Sequence, residues 1–194
     1  MAMARKKQLM DKPYLVVDLE ATCDREGIPI RETEIIEIGA VLVDAVSLRP
    51  VDELQTFVRP LIHPQLSAFC TELTSIRQED VVSAPTFPEA IERMRRWLAQ
   101  RDVLFSSWGE YDRNQLSRER HRHGVTLPWR KAHFNVKTAF AERMRMPACG
   151  MAEALAHRGL PLIGTHHRGI HDARNIARLL PFALGVPDPV PDEG

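Results

Sequence analysis

The hydrophobic pattern opens with Tyr14-Leu-Val-Val17, a short apolar run that ends in two carboxylates, Asp18 and Glu20. An apolar, β-branched run of this kind predicts a buried strand. Side chains alternate along a strand, so Asp18 and Glu20 point to one face. After a loop holding Gly27 and Pro29, Glu34 to Val43 predicts a second strand, its apolar run interrupted by Glu37. The chain turns between Asp44 and Pro50, and Leu54 to Val58 predicts a third strand stopped by Pro60. Three strands so close in sequence predict an antiparallel meander.

Downstream the period changes. His63 to Ala84 predicts short helical turns, and Thr86 to Gln100 carries the clearest helical pattern. There Ala90, Ile91, Met94, Trp97 and Leu98 fall on one face. Thr86 with Glu89 three residues on predicts a capping box. Asp102 to Ser106 predicts a short fourth strand, Asp112 to His123 a helix ended by Gly124, and Phe134 to Val136 a fifth, edge strand. Lys137 to Met146, Gly150 to His157 and Ile170 to Leu184 predict three further helices. The last sets Ile176, Leu179, Leu180 and Phe182 on its apolar side. A meander followed by strands alternating with helices is an α/β fold, a mixed sheet flanked by helices. One folded body is expected over residues 13–184. Flexible segments are expected at 1–12 and at 185–194, the latter with Pro187, Pro189 and Pro191.

Composition adds exclusions. A chain of 194 residues, 44% apolar and 27% charged, is ordinary for one globular domain. No apolar run approaches the roughly 20 residues of a membrane span. Arg5, Lys6 and Lys7 precede no apolar core, so no secretory signal is predicted. Cys23, Cys70 and Cys149 are an odd set without CxxC spacing. That argues against a zinc site or disulfide frame and for a reducing, cytoplasmic setting. The formal net charge is +0, yet Arg113 to Arg145 holds nine Lys/Arg against two acids, a local +7. Such asymmetry suits a surface that faces a polyanion.

The chemistry lies at the ends of elements. Two like charges beside a dry strand require a positive partner, and oxygen donors suit hard divalent cations. Water at an open strand end would serve equally for this stretch alone. Asp112 follows the predicted fourth strand and opens a helix. Asp172 lies in the first turn of the last helix, and His167 stands five residues ahead of it. Four carboxylates and a histidine so placed can converge on a pair of metals.

Asp-x-Glu on the first strand, a later Asp after a strand, and His-x4-Asp near the C-terminus resemble the DEDDh class of 3′–5′ exonucleases, which have an RNase H-like fold. Longer blocks resemble its Eri-type branch, whose members trim small interfering RNA, histone messenger RNA ends and 5.8S ribosomal RNA. These are Val17-Asp-Leu-Glu-Ala-Thr-Cys23, Glu34-Ile-Ile-Glu-Ile38, Phe57-Val-Arg-Pro60, Leu66-Ser-x-Phe-Cys-Thr-x-Leu-Thr74, Thr86-Phe-Pro88 and His167-Arg-Gly-Ile-x-Asp-x-x-Asn-Ile-Ala177. Six blocks in the correct order cover about residues 13 to 184.

The resemblance implies two Mg²⁺ or Mn²⁺ ions held by Asp18, Glu20, Asp112 and Asp172, with Asp18 bridging both. His167 is implied as general base, and Glu20 counts with it among the catalytic residues. The spacing selects His167 over its neighbour His166. Ala21 and Thr22 are expected at the terminal 3′ hydroxyl and sugar, and Leu73 as an apolar wedge at the terminal base. Trp108 is expected either against the terminal sugar or base or as a buried wall. Glu37 is expected in a structural or supporting role. His171 stands where family members often carry an acid. The implied substrate is a single-stranded RNA or DNA 3′ end, RNA favoured, and the product a nucleoside 5′-monophosphate. Substrate selection is expected from the core itself, a protein partner or a second subunit in a homodimer. The competing readings are a nucleic-acid-binding module that kept the fold without the activity, and a DNA-directed exonuclease.

Overall fold

The computed structural model describes residues 11–186. The expected flexible ends, 1–12 and 185–194, lie outside these residues except at their inner edges. There Lys12 already ion-pairs with Asp102 at 2.6 Å.

Five strands form one sheet: β1 (Tyr14–Ala21), β2 (Ile35–Val43), β3 (Pro50–Phe57), β4 (Leu104–Ser107) and β5 (His133–Asn135). Their order is β3-β2-β1-β4-β5. β1, β2 and β3 pair antiparallel, as the meander requires, and β4 and β5 add in parallel to β1. Parallel addition needs a crossover, and helices provide it. The helices are α1 (Ala68–Thr74), α2 (Gln78–Val82), α3 (Phe87–Leu98), α4 (Tyr111–His123), α5 (Val136–Met144), α6 (Met151–His157) and α7 (Gly169–Leu184). Thr86 and Glu89 close the expected capping box on α3. Strand β3 begins at Pro50, four residues before the apolar signal at Leu54, because it is an exposed edge whose outer part needs no apolar side chains.

The two faces of the sheet carry separate cores. Tyr14, Val16, Val41, Val43 and Leu104 pack against α5, α6 and α7. Leu15, Val17, Ile38, Ala40, Leu42 and Phe105 pack against α3 and Leu116 of α4. The period of two therefore continues from Tyr14 and Val16 to Asp18 and Glu20 and delivers both carboxylates to the α7 face. Trp97 joins the α3 core as a half-buried member. Cys23 and Cys70 pack beside Ile36, Leu66, Ile76 and Val81 in a third, smaller cluster. Among the described residues no helix is long and apolar enough to cross a membrane.

Candidate active site

The approach of α7 to the sheet creates the site. Gly39 lies opposite Asp18 in the β1–β2 register. A Cβ on Gly39 would stand 2.1 Å from the Gly169 carbonyl carbon and 2.2 Å from Ile170 N. A Cβ on Gly169 would meet the Asp18 carbonyl oxygen at 3.0 Å and Gly39 N at 3.1 Å. Two glycines thus let the first turn of α7 rest on the strands beside Asp18. Glu37, fully buried, fastens that turn. It accepts from Gly169 N (3.1 Å), Ile170 N (3.4 Å), Arg168 Nε (3.2 Å) and Gln55 Nε2 (2.7 Å). A carboxylate at a helix N-terminus is also favoured by the helix dipole.

The same docking brings Asp172 over the strand. Ligand oxygens of Asp18, Glu20 and Asp172 lie within 4.8 Å of one another, and Asp172 also groups with His166 and His167. Asp172 Oδ2 accepts from His167 N (3.0 Å) and faces His166 Nδ1 (2.8 Å). Its other oxygen, Oδ1, is buried without a hydrogen-bond partner. Asp112, the fourth expected acid, enters from α4. Beyond Val16, β1 has no β4 partner, and Leu19 N donates to Asp112 Oδ1 at 3.1 Å instead.

Burial makes Asp18, Glu20 and Asp112 hold their protons more tightly than usual. Burial, then Asp112, Glu20, Asp172 and Glu37, raise the Asp18 carboxyl well above its usual range. Glu20 is pushed up to about 8, by burial first and then by Asp172, Glu37 and Asp112. Asp112 rises to about 7 through burial, against the hydrogen bonds from its own N–H, Leu19 N–H and the Ser107 hydroxyl. An oxygen-only donor set, mutual repulsion and one orphaned buried oxygen fit a hard divalent cation such as Mg²⁺ or Mn²⁺.

The histidines sit at the rim. His167 adopts a left-handed backbone conformation (φ 61°), and its ring stacks on His166 at 4.0 Å between centroids. Its pKa is lowered, by burial first and by His166 second, while Asp172 opposes the change. Asn175, which the sequence did not single out, holds this loop together with His171. Buried Asn175 accepts from Ile163 N at 3.1 Å and donates to the Ile163 carbonyl at 2.9 Å. His171 Nδ1 accepts from Thr165 N at 3.0 Å, so the residue at the position of the missing family acid braces the loop. Glu34 gathers Leu61, Ile62 and His63 N–H at 2.7, 2.8 and 2.8 Å, fixing the turn that leads to α1. An acid among apolar neighbours, the signal that singled out Glu37, was equally available for Glu34.

The expected substrate contacts divide. Leu73 projects from α1 with 38% of its surface exposed. Trp108 is half-buried, donates from Nε1 to the Cys149 carbonyl (3.1 Å) and packs near Phe140, so it forms an anchored wall. Thr22 is buried, and its hydroxyl accepts from Glu34 N at 3.0 Å while its own N–H donates to Glu34 O at 2.8 Å. The Ala21 carbonyl faces Cys70 Sγ at 3.8 Å. Part of the basic segment is structural. Arg122 bonds Glu119 and, at 2.5 Å, the Arg31 carbonyl, and Arg118 bonds Gln115.

A mixed sheet with carboxylates converging from a central strand and two helix N-terminal turns defines an RNase H-like nuclease. The chain belongs to the exonuclease family, whose model matches residues 15–180. It is 32% identical to the 3′-5′ exonuclease Snipper of Drosophila melanogaster, with 91% of this chain and 72% of that protein covered. It is also 32% identical to ERI1 exoribonuclease 3 of Mus musculus, across 86% of this chain but 52% of that protein. Among solved structures, the nuclease domain of 3′hExo, a DEDDh family member bound to rAMP, superposes with a TM-score of 0.81. Identity there is 29%, covering 87% of this chain and 89% of that one.

Proposed function

We propose that the chain is a divalent-metal-dependent 3′–5′ exonuclease that acts on single-stranded ends, RNA in preference to DNA, and releases nucleoside 5′-monophosphates. One observation carries the reading: Asp18, Glu20 and Asp172 present ligand oxygens within 4.8 Å of one another, and Asp172 Oδ1 is buried and unpartnered. The RNA preference rests on the relatives' names, an exoribonuclease and a nuclease domain bound to rAMP.

Asp18, Glu20, Asp112 and Asp172 would hold two Mg²⁺ or Mn²⁺ ions. Held by these carboxylates, such ions would lower the pKa of a bound water and stabilise charge on the attacking and leaving oxygens. His167, its pKa lowered mainly by burial, is neutral at neutral pH and takes the water's proton. The water oxygen bonds to phosphorus as the bond to the penultimate 3′ oxygen breaks, and that oxygen leaves with a proton from solvent. Leu73 packs on the terminal base and Trp108 walls the terminal nucleoside, contacts that tolerate any base. Ala21 supplies backbone contact at the 3′ hydroxyl, and Thr22 shapes that edge through its bonds to Glu34.

The test is digestion of matched 5′-labelled single-stranded RNA and DNA with Mg²⁺ or Mn²⁺, beside EDTA and Asp18→Asn controls. A ladder shortening from the 3′ end, faster on RNA and absent in both controls, is expected. Binding of either strand without cleavage would favour the binding module instead.

A further inference from the structure

A groove of about 360 Å³ lies between α4 and the segment from Leu127 to Lys131. Arg113, Arg120, Arg130, Lys131 and Trp129 line it, and no acidic side chain does. Arg113 and Arg130 are partly neutralised, by Glu110 at 2.7 Å and Asp102 at 3.2 Å. Arg120 and Lys131 make no ion pair among the described residues. Trp129 stacks on Phe105 at 5.3 Å and 11°, which holds its indole as a fixed plate. The opposite side of α4 is used differently: Gln115 and Arg122 bind the loop at Thr33, and Arg122 also pairs with Glu119. One helix therefore separates structural polar groups from the basic groups that line the groove.

The helix that contributes Asp112 to the acid cluster also carries the groove's arginines. Arg113 follows Asp112 directly, and Arg120 lies seven residues further on, about 10 Å along the helix axis. A strand whose 3′ end reaches the acids can therefore continue past Arg113 toward Arg120. Unpaired cations beside a flat aromatic plate are the recognition chemistry of single-stranded nucleic acid. Phosphates meet the cations and an unpaired base meets the ring. A duplex exposes no base face for such a plate.

We propose that the α4–Trp129 groove is a second nucleic-acid site, holding the single strand upstream of its 3′ end. Arg120 and Lys131 take backbone phosphates and Trp129 takes one base. The proposal rests on the exonuclease reading for the strand's direction, but its test does not require turnover.

The experiment compares the wild-type chain with R120A/K131A and with W129A. Affinity for a labelled single-stranded RNA of about twelve nucleotides is measured by fluorescence anisotropy in EDTA over a salt series. Hydrolysis of that RNA and of the p-nitrophenyl ester of thymidine 5′-monophosphate is measured with Mn²⁺. The ester carries one nucleotide and fills the acid cluster alone. R120A/K131A is expected to weaken RNA binding about tenfold and to flatten the log–log salt slope by about 1.4, two phosphates at roughly 0.7 each. The ratio of RNA to ester kcat/KM should fall by a similar factor, through KM. W129A should weaken binding about tenfold with the slope retained. If its lost stack with Phe105 prevents folding, the charge variant carries the test alone. Unchanged affinity and slope in R120A/K131A, or RNA and ester rates falling together, would overturn the proposal. A wild-type chain that cleaves neither substrate, yet shows the tenfold binding difference, would sink the exonuclease reading and leave the groove standing.

Discussion

His166 and His167 stack ring on ring, yet they meet Asp172 in different ways. His166 is tied to Asp172 Oδ2 through its side chain, whereas His167 reaches the same oxygen with its backbone N–H. That difference leaves the His167 imidazole available to a water. His167→Ala is expected to lower kcat by about 10²–10⁴-fold, the usual contribution of a general base. Mn²⁺ affinity, followed by calorimetry, should be retained, and loss of that affinity would make His167 a ligand. A base must be neutral to act, and this imidazole titrates below the usual 6.5. The acidic limb of kcat/KM should accordingly fall only below that value, as protonation removes the acceptor.

At the scale of elements, the decisive contact is α7 on β2. The collision awaiting a Cβ at Gly39 is with backbone, 2.1 Å from Gly169 C, so no rotamer change relieves it. Gly39→Ala should destabilise the fold by about 3 kcal/mol, a fall in Tm of about 6–12 °C for a chain of this size. Because Asp172 rides on the displaced helix, Mn²⁺ affinity should fall in the same variant. A Tm within a degree of wild type would show that the close approach is dispensable. Glu37→Gln tests the fastening of the same turn. It keeps the shape but loses the carboxylate that accepts from Arg168, Gly169 and Ile170, and a loss of about 1–3 kcal/mol is expected in thermal or urea unfolding.

Across the whole molecule, stability without metal depends on protons in the acid cluster. Glu20 and Asp112 ordinarily titrate at 4.5 and 3.8 but sit at about 8 and about 7 when folded. Between these limits the folded chain binds more protons than the unfolded one, so stability falls as pH rises. The Tm in EDTA should therefore drop between about pH 5 and about pH 8, and saturating Mg²⁺ or Mn²⁺ should restore it at the upper end. Asp18→Asn fixes the uncharged form at one position of the repelling set and should raise the metal-free Tm by about 2–4 °C at the alkaline end of this range, where the carboxylates ionise, while abolishing the metal-induced rise. A Tm in EDTA that climbs with pH over this range would show that the cluster stabilises rather than strains the chain.

The sequence by itself determined the elements and the parity of the first strand. Alternation from Tyr14 and Val16 to Asp18 and Glu20 is a local property of extended backbone, and the Thr86–Glu89 capping box needs only four consecutive residues. The resemblance to the DEDDh pattern also named Asp112, His167 and Asp172, residues that no local rule connects. Only the tertiary structure decided which polar groups are consumed inside the fold. Glu34 and Glu37 are spent on backbone N–H groups far away in sequence, Thr22 is turned to Glu34, and Arg122 is spent on Glu119 and the Arg31 carbonyl. Arg120, two residues before Arg122, lines an open groove. Composition assigns these arginines the same charge. Their fates differ because a helix turns about 100° per residue and meets a different neighbour on each side.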